Sequence, residues 1–116
     1  MLPPSLREKR HYLAIQILSI GKPQFKEVKK ELESVVSSFL GSQEAAKAGL
    51  QILELNRTEK MHDLFVMRGI LSVNRKSVLN VKAALTLLKD IAGNRASCRV
   101  KGVSGTIKRL REKFLS

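Results

Sequence analysis

The apolar residues of this chain switch repeatedly between a helical period and short strand-like runs, and that alternation constrains the fold more than any motif. From Gln24 to Leu40 the residues Phe25, Val28, Leu32, Val35, Val36, Phe39 and Leu40 recur at helical spacing, with Lys and Glu between them and Gly41 beyond the end. His11 to Ile20 is rich in apolar residues, with Ile15, Ile17 and Ile20, and Gly21-Lys22-Pro23 breaks it, as expected of a buried strand. Leu50 to Leu55 reads as a strand, Asn56 to Lys60 as a polar turn and Asp63 to Val73 as the second arm of a hairpin. Arg75 to Ile91 returns to helical spacing through Val78, Val81, Leu85 and Leu88, with Gly93-Asn94 as its end, and Arg95 to Val103 is again a strand. Ser42 to Gly49 is short and Ala-rich, and propensity leaves it open between a helical turn and a loop.

The order strand, helix, strand, strand, helix, strand is that of a split βαβ unit. The expected fold class is α+β, ferredoxin-like or RRM-like: a four-stranded antiparallel sheet with two helices on one face, and a basic helix, Gly105 to Leu115, appended at the end. A chain of 116 residues with 43% apolar content has room for one modest core, so residues 1–116 are expected to form one domain. Within it, residues 1–10 form a basic leading segment, 11–103 the sandwich and 104–116 the basic helix.

Charge is placed unevenly. The formal net charge is +12, and residues 1–11 and 95–116 together supply +8 of it, whereas the middle of the chain is nearly balanced at 12 basic and 8 acidic residues. So strong a bias predicts attraction to a polyanion, without choosing among RNA, DNA and an anionic membrane. The single cysteine, Cys98, forms no intramolecular disulfide and, with two histidines, falls short of a structural zinc set; a reducing, cytoplasmic setting is expected. The start MLPPSLREKR lacks the apolar core of a signal peptide, and no run approaches the roughly 20 apolar residues of a membrane span, so no membrane association is expected.

Motifs for catalysis are absent: the sequence holds no HExxH, GxSxG, Walker loop or GxGxxG, and neither His11 nor His62 has a cysteine or carboxylate at metal-ligand spacing. No catalytic residue and no metal ligand is expected. His62 is read as a solvated turn residue and Cys98 as a small core residue of the last strand.

The run Gly102-Val103-Ser104-Gly105-Thr106-Ile107-Lys108-Arg109-Leu110 is the most distinctive in the chain. Ser104 is expected to cap the terminal helix, with Gly105 leaving backbone amides open to an anion. Lys108, Arg109, Arg111 and Lys113 spread over the polar face, and Ile107, Leu110 and Phe114 form a stripe suited to docking on the sheet. In a split βαβ fold the first and last strands are neighbours, so the two basic ends are expected to join into one surface. The sheet itself lacks RNP1-type aromatics, its first strand offering only Tyr12, which favours recognition of RNA shape and backbone over base stacking. Along the third strand Phe65, Met67 and Leu71 alternate with Leu64, Val66 and Ile70, so both faces are apolar. The outer one is covered by the terminal helix, by a second copy or by another protein.

Leu2-Pro3-Pro4-Ser5-Leu6-Arg7-Glu8-Lys9-Arg10-His11-Tyr12-Leu13-Ala14, and the segment from Gly102 to Leu115, resemble the archaeal ribonuclease P protein component 2 family. Element order and length agree; between about Lys22 and Gly93 the agreement is one of pattern. The resemblance implies an RRM-like sandwich that assists a catalytic RNA in removing the 5′ leader of precursor tRNA, the chemistry belonging to Mg2+ bound by that RNA, with no cofactor on this chain. It implies further ribonuclease P proteins as partners, above all the TIM-barrel protein component 3, in a heterodimer able to pair into a heterotetramer.

From charge and resemblance together, the expected RNA-binding residues are Arg7, Lys9, Arg10, His11, Arg99, Lys101, Ser104, Gly105, Thr106, Lys108, Arg109, Arg111 and Lys113. Leu64, Val66, Arg68 and Ile70 are the expected protein interface. Competing readings are a general structured-RNA-binding or ribosome-associated protein of the same fold and a small-molecule regulatory domain, the latter having no use for +8 at its ends.

Overall fold

The structure, a computed structural model, describes residues 9–56 and 59–115. The chain runs β1 (Arg10–Ser19), α1 (Phe25–Leu40), α2 (Ser42–Ala48), β2 (Gln51–Leu55), β3 (Glu59–Met61), β4 (Leu64–Asn74), a 3-10 turn (Arg75–Ser77), α3 (Val78–Leu85), β5 (Asp90–Ile91), β6 (Asn94–Ser104) and α4 (Ile107–Leu110), which continues as a π-helical turn, Arg111–Leu115. The sheet is antiparallel in the order β2-β4-β1-β6-β5, with β3 also on β4. Both central strands, β1 and β4, alternate cleanly. Leu13, Ile15, Ile17, Met67, Leu71 and Val73 point to the layer of α1 and α3, where they enclose Val28, Leu32, Val36, Val81, Ala84 and Leu85. That layer is the main core.

The α+β class agrees with the sequence, but the sheet has six strands where four were expected. The two additional strands are short ribbons on either flank. β3 pairs Glu59–Met61 with Leu64–Val66 through a tight turn at His62-Asp63, where His62 adopts φ 57. Its Glu-Lys-Met sequence carries no strand pattern of its own, and pairing to β4 alone makes it a strand. The polar turn expected at Asn56–Lys60 is thereby corrected, since the reversal lies at residues 62 and 63.

The second ribbon corrects the expected helix Arg75–Ile91. α3 stops at Leu85, Thr86 Oγ1 donates to the Ala83 carbonyl at 2.6 Å, and Asp90-Ile91 pair with Asn94-Arg95 across Ala92 and Gly93, both at positive φ. Leu85, Leu88 and Ile91 are all buried. Their spacing of three imitates a helix, but the helix, a turn and a strand satisfy it in succession.

α1 forms as expected, its start closed by the Gln24 N–H donating to Glu27 Oε1 at 3.3 Å. Residues 42–48, left open by propensity, are helical and end at Gly49 in the left-handed conformation. α4 lies on the opposite face of the sheet from α1 and α3. Leu110 is 0% exposed there, enclosed with Ala14 and Ile70 and flanked by Tyr12 and Ile107. The Phe114 ring occupies the place a Gly102 side chain would take. Only glycine at position 102 allows this approach.

Candidate nucleic-acid interface

The start of β1 lies beside the ends of β4 and β6. Tyr12 stands opposite Ser104, Arg10 opposite Asn74, and the Arg75 N–H donates to the Lys9 carbonyl at 2.9 Å. A Cβ placed on Gly105 would sit 3.9 Å from His11 Nε2, so the imidazole borders the turn into α4. Lys9, Lys108, Arg109 and Lys113 are exposed, and none has an ion-pair partner among the described residues. The first and last strands are neighbours, as expected. Arg7 lies outside the described residues.

Two of the expected RNA-binding arginines are engaged in holding the fold. Arg10 donates through Nε to Ser72 Oγ at 2.7 Å and through Nη2 to the Ser72 carbonyl at 2.8 Å and the Gly49 carbonyl. It ties β1 across β4 to the end of α2. Arg111 reaches Glu54 of β2, with Nη1 donating to Oε1 at 3.4 Å and Nη2 forming an ion pair with the enclosed Oε2 at 3.0 Å. It pins α4 to the sheet. Their guanidiniums are committed to these partners, in contrast to the exposed lysines beside them.

The expected anion cradle at Ser104–Gly105 is also corrected. Thr106 is the N-cap, its Oγ1 accepting from the Arg109 N–H at 3.2 Å, while Ser104 Oγ accepts from the Thr106 N–H at 3.2 Å. These side chains satisfy two of the amides an anion would use, and a helix of four residues carries little dipole. Charge on this surface therefore resides in side chains.

Arg99 and Lys101 are exposed on β6, Lys101 at the register shift that pairs Ala14 with Gly102 and Ile15 with Val100. The expected protein interface is divided. Ile70 is covered by α4 and Val66 is 2% exposed, so neither offers a side chain to a partner. Leu64 remains 38% exposed and Arg68 contacts Glu59 at 3.6 Å.

Two cations escaped the sequence reading. Arg75 and Lys76 are exposed in the 3-10 turn after β4, beside Lys9, and the Lys76 N–H is held by Asn74 Oδ1 at 2.9 Å. The signal was present in Asn-Arg-Lys-Ser: basic residues ahead of a helix, with no acid in its first turn, oppose the helix dipole. Such placement points to a role other than helix stability.

Among the described residues no three His, Cys, Asp or Glu side chains cluster so as to hold a metal ion. Burial pushes the Cys98 thiol up to about 12, well above thiolate range at neutral pH. No helix among the described residues is long and apolar enough to cross a membrane.

Comparison with known proteins places this geometry in a family. Residues 11–115 match the Rpp14/Pop5 family. Ribonuclease P protein component 2 of Pyrococcus furiosus is 38% identical over 115 residues, covering 99% of this chain and 90% of the relative. The protein of the same name from Thermococcus gammatolerans is 42% identical, with the same coverage, and that from Methanosarcina mazei is 35% identical over 98% of this chain and 90% of its own. These relatives match 98–99% of the chain and the family match takes in residues 11–115, so the chain belongs to the Rpp14/Pop5 family.

Proposed function

We infer that this chain is a protein subunit of ribonuclease P that binds the catalytic RNA and supports removal of the 5′ leader from precursor tRNA. The observation that supports the reading is the register pairing of Tyr12 with Ser104, which puts the strand end that follows Lys9 beside the strand end that leads into Lys108 and Arg109. With Arg75 and Lys76 they give side-chain cations without carboxylate partners among the described residues, suited to a phosphate backbone. The role is accessory. Cleavage belongs to Mg2+ held by the RNA, and this chain's cations offset phosphate repulsion so that the folded RNA forms at lower Mg2+.

Its partners are the ribonuclease P RNA, the precursor tRNA bound to that RNA and further protein subunits, among them the TIM-barrel component 3 in a heterodimer or heterotetramer. The setting is the cytoplasm. Reconstituted cleavage of precursor tRNA at limiting Mg2+, with Lys9, Arg75, Lys76, Lys108 and Arg109 changed to Glu, tests the reading. Loss of activation is expected, and activation equal to that by the parent protein refutes it. RNA recovered with the protein from cells separates this role from general RNA binding, since one long structured RNA should dominate, and a broad ribosomal profile would count against it.

A further inference from the structure

The half of the sheet face that α4 leaves open carries a second cationic feature. α4 closes over Ala14 and Ile70. In the next row of the same face, Gln16 of β1 stands in register between Arg68 of β4 and Arg99 of β6. Because Ile15, Ile17, Met67 and Cys98 occupy the helical side, these three polar side chains lie on the α4 side. At a strand spacing of about 4.8 Å, the two arginine Cα atoms are ~10 Å apart with an amide between them.

Arg68 carries one loose ion pair and Arg99 none among the described residues. Arg99 is exposed, and the 3.6 Å contact of Arg68 is to Glu59, whose side chain is 68% exposed. A pair so long and so hydrated holds little energy and yields readily to a better anion. Beyond the row, a groove of about 790 Å3 runs past Leu18, Ile20 and Leu64, with Arg95, Lys89 and the carboxylate of Asp90 on its β5–β6 side.

We propose that the Arg68–Gln16–Arg99 row and the adjoining groove bind a single-stranded RNA segment, the guanidiniums on its phosphodiesters and a base against the aliphatic wall. A protein occupant would need carboxylates placed to match both arginines, whereas a ribose-phosphate chain offers an anion at every residue. The residues that line the groove include no aromatic, so a base would meet aliphatic surface, which does not read base edges. The inference rests on the RNA-binding reading above and adds a second contact. Arg10 and Gln16 are six residues apart on β1, so the two cationic zones lie ~20 Å apart on either side of α4.

The test uses the full chain, a ribonuclease P RNA transcript and, separately, a short unstructured oligouridylate, each titrated over a salt series. The double variant R68Q/R99Q should bind oligouridylate about tenfold more weakly than the parent and with a shallower salt dependence, while K9Q/R75Q/K76Q should lose more affinity for the transcript than for oligouridylate. Glu59→Gln, which releases Arg68 without removing a cation, should tighten oligouridylate binding. Parent-like oligouridylate binding by R68Q/R99Q overturns the proposal, as does loss of a co-purifying protein subunit in its place. A parent chain that binds neither RNA overturns the underlying reading instead.

Discussion

Leu110 of α4 closes over Ile70 of β4, the two being 0% and 1% exposed. This contact decides which face of the sheet is open. The terminal helix is too short to hold itself in place, so its attachment depends on Leu110, on the Arg111–Glu54 pair and on Phe114 over Gly102. Leu110→Ala should cost about 2–5 kcal/mol in urea denaturation, whereas Arg111→Gln, breaking a pair that is half exposed, should cost no more than about 1 kcal/mol. Equal effects from the two would mean that the ion pair, and not apolar burial, anchors the helix.

Arg10 and Lys9 are adjacent in sequence yet should behave in opposite ways. Removing the Arg10 side chain strips donors from the Ser72 and Gly49 carbonyls, so Arg10→Ala should lower stability by roughly 1–3 kcal/mol. Substituting Gln for Lys9, Arg75 and Lys76 together should leave stability within about 0.5 kcal/mol and reduce the slope of log affinity against log salt by about three. Chemical denaturation beside a salt titration of RNA binding reads both. A triple variant with an unchanged salt slope would remove these three residues from the interface.

How far the sequence revealed the molecule follows from what each residue responds to. α1 was legible because Val28, Leu32 and Val36 bury one face of a regular helix, and the pairing of the first and last strands was legible because element order dictates strand neighbours. β3 and β5 were not, since Glu59–Met61 and Asp90–Ile91 are strands only through their partners on β4 and β6. The candidate site was legible as charge and not as role. Composition cannot distinguish Arg10, whose donors are taken by backbone carbonyls, from Lys9 beside it. Nor could alternation on β4 tell whether Ile70 faces a partner or this chain's own helix.

Gly69 supplies a test of the sheet edge. The bulge between Ile52 and Glu54 brings the Glu54 carbonyl to 2.5 Å from where a Cβ at position 69 would stand, and backbone cannot swing aside as a flexible side chain can. Gly69→Ala should therefore displace β2 and cost ~1–3 kcal/mol. Because Glu54 holds Arg111, the same change should loosen α4, seen as faster amide exchange at Leu110. Parent-like exchange there would show that α4 is held independently of the β2 edge.

Cys98 provides the pH dependence. Burial raises its thiol from an ordinary 9.0 to about 12, so between those values the unfolded chain has lost a proton that the folded chain retains. Stability is then fully present below pH 9 and falls as pH rises, by at most about 1.4 kcal/mol per pH unit from this group. Lysines and Tyr12 titrate in the same range, so the measurement is a difference: urea midpoints of the parent and Cys98→Ala from pH 8 to pH 11. The gap caused by the lost side chain should be constant near pH 8 and narrow above pH 9, as the parent alone bears the cost of keeping its thiol protonated. A gap that stays constant throughout would mean that water reaches the thiol and that β6 opens at its outer edge. In that case a thiol reagent should label the folded protein at neutral pH.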